Sequence, residues 1–218
     1  MIGDRLVFEP CHFKKRDLIF KKTIESIIDQ ENPSRFVLTI GGSSGTGKTE
    51  IAILLQEALF NDYGIQSYVI SLDDYYKVPW LERREYREKK GIESVGIKEI
   101  NWRKVNDLIN FYLNSIHIYI RPQKIHKFIN DIEYSKVRKD SIDVLIIEGL
   151  YACDLKKSNL SVFLEGDYKD TEEFRVKRNK EIRDSFRLSV LKKEQKDVEK
   201  TKEQADMFVP YKTKGKIK

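Results

Sequence analysis

Cysteine is nearly absent: Cys11 and Cys153 are the only two in 218 residues, far apart and outside any metal-ligand spacing. That excludes a disulfide-stapled secreted scaffold and a zinc finger or ribbon, and favours a reducing, cytoplasmic compartment. Long hydrophobic runs are missing too. The longest, around Val144–Ile147, has the length of a strand, far short of the ~18 residues of a membrane span, so no membrane partner is expected. Met1–Asp17 contains Asp4 and Glu9 and no apolar centre, so it is not expected to act as a secretory signal. Among the histidines, His117 and His126 lack a paired metal spacing. No internal repeat and no low-complexity linker interrupts the chain.

The excess of positive charge is small. Net charge is +6, and Lys212, Lys214, Lys216 and Lys218 carry four of those six charges within the last seven residues, leaving +2 for the body. A solvated basic tail accounts for the balance, so no nucleic-acid partner is expected. The 40% hydrophobic and 35% charged fractions describe a globular chain. Its length suits one domain that buries roughly 70% of its unfolded surface.

Apolar spacing predicts a helix over Leu18–Ile28, ending before Asn32–Pro33, and a buried strand over Phe36–Ile40 that stops at Gly41–Gly42. A helix follows from Lys48 to a stop at Gly64, then a strand over Tyr68–Leu72. Leu81–Lys90 reads as an exposed charged helix, Trp102–Leu113 as an amphipathic one and Ile116–Ile120 as a strand. Asp143–Ile147 reads as a central parallel strand, followed by a strand over Ser161–Leu164. Glu172–Glu203 is expected to be mostly helical, and Met207–Val209 a last short strand. Alternating strands and helices imply a parallel sheet covered on both faces.

Gly42-Ser43-Ser44-Gly45-Thr46-Gly47-Lys48-Thr49 fits G-x-x-x-x-G-K-[ST] between a strand and a helix. Glycines let successive backbone N–H groups turn inward onto phosphate oxygens, and the following helix adds its positive N-terminal end. Lys48 is expected to reach the β- and γ-phosphates, and Thr49 to place its hydroxyl on Mg²⁺. The expected fold class is therefore α/β, a three-layer P-loop NTPase fold with a parallel sheet and helices on both faces.

Two other strands end in acids on the same edge of such a sheet: Asp73-Asp74 after the second, and Glu148 after the central one. Phosphoryl transfer to a hydroxyl needs a carboxylate to take its proton. Asp73, first off its strand, is the better placed, and Asp74 is expected to face away or cap the next segment.

Gly42–Thr49, Asp73-x-x-Tyr76, and Asp143-Val-Leu-Ile-Ile-Glu148-Gly149-Leu150 together resemble the uridine kinase/phosphoribulokinase family. An arginine-rich stretch with Arg175, Arg178, Arg183 and Arg187, then Ala205-Asp206, extends the resemblance from about Phe36 to Pro210. The resemblance implies ATP and Mg²⁺ as cofactors, with Asp73 as general base and Thr49, Asp73 and Glu148 around the metal. It implies that Tyr76 shapes the acceptor pocket, and that Arg178, Arg183 and Arg187 close a lid over the phosphates. The spacing of those arginines predicts a helix break near Lys180–Ile182.

The chain departs from the family in Gly91–Trp102 and after Pro122, where Gln123-Lys124-Ile125 replaces a Pro-x-Tyr-Asp stretch. Glu99, Asn101 and Trp102 could read a polar acceptor, or Trp102 could simply pack a helix start. Arg83, Arg84 and Arg87 could bind an anionic acceptor, or form a solvated face neutralised by Glu82, Glu85 and Glu88. The expected activity is transfer of the γ-phosphate of ATP to a hydroxyl of a nucleoside, sugar phosphate or similar metabolite. A nucleotide-binding switch lacks its Asn-Lys-x-Asp and Asp-x-x-Gly signatures here, and an RNA-binding reading rests on the basic tail and the late arginine-rich helix. The expected layout is a helical extension over 1–34, a kinase domain over 35–210 with a lid helix at about 172–203, and a basic tail over 211–218. The expected partner is a small-molecule phosphoryl acceptor, with a homo-oligomer left open.

Overall fold

The computed structural model describes residues 2–3, 5–30, 35–129, 131–178, 182 and 184–212. Helix α1 (Pro10–Ile28) leads into β1 (Phe36–Gly42), α2 (Lys48–Tyr63), β2 (Ser67–Ser71), α3 (Trp80–Lys90) and α4 (Trp102–Asn114). Four short strands follow: β3 (Tyr119–Ile120), β4 (Gln123–Ile125), β5 (Ile132–Tyr134) and β6 (Val137–Arg138). The chain continues through β7 (Val144–Glu148), β8 (Leu160–Leu164), α5 (Glu172–Arg178), α6 (Ser185–Thr201) and β9 (Met207–Val209).

The central sheet has the order β2-β7-β1-β8-β9 and every pairing in it is parallel. Side chains alternate across it, as the two-residue strand period requires. Leu38, Ile40, Val144 and Ile146 face one way, into a cluster with Ile19 of α1 and Ile51, Leu55 and Leu59 of α2. Val37, Leu145 and Ile147 face the other way, against Val105, Ile109 and Tyr112 of α4. That is three layers, with α1 on the same face as α2.

Register places the functional rim. Glu148 lies opposite Ile40 on one side and Ser71 on the other, so β7 and β2 end level with one another while β1 continues two residues past them to Gly42. The strand before the phosphate loop runs two residues further than its apolar pattern predicts. Gly41 and Gly42 pair with Phe163 and Leu164, and a side chain at Gly42 would put its Cβ 2.5 Å from the Leu164 carbonyl oxygen.

Several expectations are corrected. Helix α1 begins at Pro10, well ahead of Leu18, because proline is preorganised for the first helical turn and the Nδ1 of His12 accepts the Glu9 N–H (3.2 Å). Of Ile116–Ile120 only Tyr119–Ile120 pairs, antiparallel with Val137–Arg138 and apart from the main sheet. A second small antiparallel pair, β4 with β5, had no sequence signal. The stretch 172–203 needs no correction: it holds two helices, in keeping with the break expected near Lys180–Ile182, with α5 ending at Arg178 and α6 starting at Ser185, capped by the Asp184 carboxylate on the Arg187 N–H (2.8 Å). Residues 179–181 and 183, with the tail lysines Lys214, Lys216 and Lys218, lie outside the described residues. Helix α3 is not a solvated face throughout, since Arg83 and Arg87 are only 5% and 7% exposed. Both cysteines are free, and no helix among the described residues is long and apolar enough to cross a membrane.

Candidate active site

The phosphate loop is shaped by its own backbone and braced from three sides. Thr46 donates its N–H and its hydroxyl to the Ser43 carbonyl (3.3 and 3.0 Å), and the Lys48 ammonium donates to the same oxygen (2.8 Å). Gly47 has φ +90°, a left-handed conformation that glycine adopts without strain, and a Cβ there would lie 2.4 Å from the His12 Nε2. Ser43 donates its hydroxyl to Gln195 of α6 (2.7 Å), and the Ser44 carbonyl accepts from the Thr171 hydroxyl (2.7 Å). The loop leads directly into the start of α2, whose N-terminal end favours an anion.

A cleft of about 90 Å³ opens beside this loop. Gly45, Gly47, Lys48 and Thr49 line one wall, and Asp73 and Glu148 line it from the ends of β2 and β7. Tyr76, Arg83 and Arg87 close it from the segment after β2, and Arg178, Arg187 and Glu194 from α5 and α6. The three remote acid- and lysine-bearing segments thus meet on one rim. Asp73 sits in a single 3₁₀ turn, Leu72–Tyr75, started by the Ser71 hydroxyl accepting its N–H (3.4 Å).

Burial sets the electrostatics. It pushes the Lys48 ammonium below the ordinary lysine range, against the opposing pull of Glu148 and Asp73. It raises the Glu148 carboxyl, a direction the neighbouring Asp73 charge reinforces. One carboxylate oxygen of Glu148, Oε1, is buried without a partner. A buried acceptor left open beside a phosphate cradle fits a cation. No cluster of three His, Cys, Asp or Glu side chains able to hold a metal occurs among the described residues. Thr49, Asp73 and Glu148 are the residues that could hold Mg²⁺, an ion that keeps water and phosphate ligands rather than needing a complete protein cage.

Other expected site residues are placed elsewhere. Asp74 faces away from the cleft: its buried carboxylate accepts the Ile125 N–H (2.9 Å), and burial raises its carboxyl. Arg84 pairs with Asp184 (2.6 Å) and Glu88 (2.9 Å) outside the cleft. Glu99 is not brought to the cleft as a free acceptor; it holds Arg87 through two 2.8 Å bonds and accepts the Gly96 N–H (2.9 Å). Trp102 packs at the start of α4, its indole donating to the Ile97 carbonyl (2.9 Å). Arg183 lies outside the described residues. Four residues with a place at the site were not anticipated: His12, Trp80, Glu194 and Gln195. The Glu9-Pro10 helix start could have drawn attention to His12, and Pro79-Trp80 just after the acid to Trp80.

The sequence profile of the Phosphoribulokinase / Uridine kinase family matches residues 37–214. The chain belongs to this family. The family is named for two small-molecule kinases, phosphoribulokinase and uridine kinase. A bifunctional alpha-galactosidase/sucrose kinase, AgaSK, from Mediterraneibacter gnavus is 30% identical over 218 residues. That alignment covers 93% of this chain but only 23% of the larger protein. Among solved structures, a candidate fructose transport system kinase from Silicibacter sp. TM1040 superposes with a TM-score of 0.67 at 16% identity, covering 89% of this chain and 98% of that one. Phosphoribulokinase from Rhodobacter spheroides gives 0.61 at 10% identity, covering 82% and 71%. At those identities the two structures establish the shared fold.

Proposed function

We propose that this family member is an ATP- and Mg²⁺-dependent kinase that transfers the γ-phosphoryl group to a hydroxyl of a sugar-like metabolite, and that it works in the cytoplasm. The observation that carries the reading is the convergence of Lys48, Asp73 and Glu148 on one cleft beside the phosphate loop. The loop N–H groups, with Gly42 through Thr49, seat the triphosphate. Lys48 offsets charge on the β- and γ-phosphates, and Arg178 and Arg187 stabilise the transferring group. Asp73 accepts the proton of the attacking hydroxyl. Thr49, Asp73 and Glu148 would hold Mg²⁺, whose chemistry is neutralisation of phosphate charge. Tyr76, buried and with its phenol pushed far above the ordinary range, stays protonated and shapes the acceptor side.

The layout follows the same reading: residues 35–210 form the kinase domain, α5 and α6 its lid, 1–34 a helical extension and 211–218 a basic tail. A sugar hydroxyl is favoured by the M. gnavus relative, which is named for sucrose phosphorylation. The test is a screen of sugars, sugar phosphates, nucleosides and vitamins for acceptor-stimulated ADP release, with Lys48→Ala as the blank. Release that no acceptor stimulates would sink the reading.

A further inference from the structure

The reaction cleft adjoins a second cavity of about 220 Å³ between α3 and the start of α6. Trp80, Arg83, Arg87 and Arg187 line both spaces. A molecule seated in the outer cavity is therefore bounded by the same side chains that face Asp73.

The arginines there are already balanced. Arg84 pairs with Asp184 and Glu88, Arg87 with Glu99 and Glu194, and Arg187 with Glu194 (3.2 Å). Those three guanidinium groups meet four carboxylates, so with Arg83 counted the cluster is neutral and carries no net positive charge toward a phosphate or carboxylate on the acceptor. Arg83 differs. Its guanidinium carbon lies 3.5 Å from the Tyr76 ring centroid, its Nε donates to the Val78 carbonyl (3.3 Å), and its Nη2 is buried without a partner. Burial pulls its pKa down, as expected of a charge short of acceptors.

The remaining walls are apolar: Trp80, Leu81, Phe186 and Val190 among them. An apolar floor with one placed donor is how a pocket holds a neutral polar ligand. We infer that the acceptor is an uncharged sugar, its C–H face on the Trp80 indole and one of its oxygens on the Arg83 guanidinium, which lines both spaces. This rests on the kinase reading above. Sugar C–H groups suit the electron-rich face of an aromatic ring. A nucleobase fits worse, because its edge carries a fixed N–H donor and every polar side chain lining the cavity is an arginine, itself only a donor. A sugar hydroxyl rotates to accept. Lys127, whose ammonium lies 5.1 Å from the Trp80 ring centroid, does not line the cavity.

In the transfer, the sugar O–H bond breaks and its proton passes to the Asp73 carboxylate. A new O–P bond forms as the bond from phosphorus to the β,γ-bridging oxygen breaks, and ADP leaves with that electron pair.

The test measures acceptor-dependent ADP release with free hexoses and disaccharides, their phosphate esters, and ribonucleosides, each at low and high salt. A free sugar is expected as the best acceptor, with a KM that does not move with salt. Trp80→Ala should raise that KM about tenfold, and Trp80→Phe should restore it to within about threefold. A phosphate ester or nucleoside as the best acceptor, or a KM unmoved by Trp80→Ala, overturns the sugar assignment and leaves the kinase reading standing. ADP release that no acceptor stimulates overturns both.

Discussion

The imidazole of His12 lies directly against the α-carbon of Gly47, the last glycine of the phosphate loop, so closely that a Cβ there would sit 2.4 Å from Nε2. A residue of α1, outside the stretch that the family profile matches, thus fixes the space behind the nucleotide cradle. Gly47→Ala must displace that ring and adopt φ +90°, a strain on the order of 1–3 kcal/mol. It should weaken ATP binding at least about tenfold, which is the factor that 1.4 kcal/mol represents. Gly64→Ala is the control: φ is +68° but nothing lies within 4 Å, so ATP binding should be unchanged. Calorimetric titration with a non-hydrolysable ATP analogue checks both.

Asp73 faces Lys48 and Glu148 across one cleft. Asp73→Asn keeps the shape and removes the proton acceptor, so kcat should fall by about 100-fold or more, the lower range of a general base. ATP binding should survive, since the loop is untouched. Undiminished turnover in the variant would remove Asp73 from its role.

What could be read from the chain was what is local. The loop Gly42–Thr49 and the acids at 73 and 148 announce themselves by spacing within ten residues or at the end of an apolar run. The sheet followed because β1, β7 and β8 are continuously buried and mostly apolar. The state of Arg87 was not legible, because its partners Glu99 and Glu194 lie 12 and 107 positions away. In sequence a charged helix looks solvated; here Arg83 lies over the Tyr76 ring and Arg87 is held between Glu99 and Glu194, contacts that no local pattern announces. The arms β3 to β6 are two or three residues each, too short for any period to register. His12 was invisible for the same reason as Arg87: its significance comes from Gly47 and Phe174, the latter edge-on at 4.9 Å.

Arg87 and Arg84 are three residues apart on α3, yet their substitutions should differ sharply. Arg87→Ala strips the buried Glu99 and Glu194 of their shared cation, which should cost about 3–5 kcal/mol of stability. Arg84 is 40% exposed, and its pairs with Asp184 and Glu88 are screened by water, so Arg84→Ala should leave stability close to that of the wild-type chain. Urea denaturation of the two variants reads the difference. Equal losses would mean that the Arg87 cluster is not the buried charge network described.

His12 should also make stability depend on pH. Burial depresses its pKa below the 6.5 of a free histidine, outweighing the raising influence of Glu50 and Glu9, while Lys15 and Arg178 add to the depression. Protonation would also place a proton on Nδ1, where the Glu9 N–H now donates, and break that helix-start bond. Below pH 6.5 the unfolded chain therefore takes up a proton that the folded chain refuses. Stability from this residue is complete above pH 6.5 and is lost as pH falls toward the folded pKa. His12→Asn retains a side-chain acceptor for the Glu9 N–H and removes the titrating ring. Unfolding free energies of both proteins, taken by urea denaturation at pH 7.5 and at about 5.5, one unit below the free-histidine value, separate this residue from the titrating carboxylates common to both. The wild-type chain should lose more stability between the two pH values than His12→Asn does. An identical loss in the two proteins would show that the imidazole gains its proton as readily in the folded state as in the unfolded one.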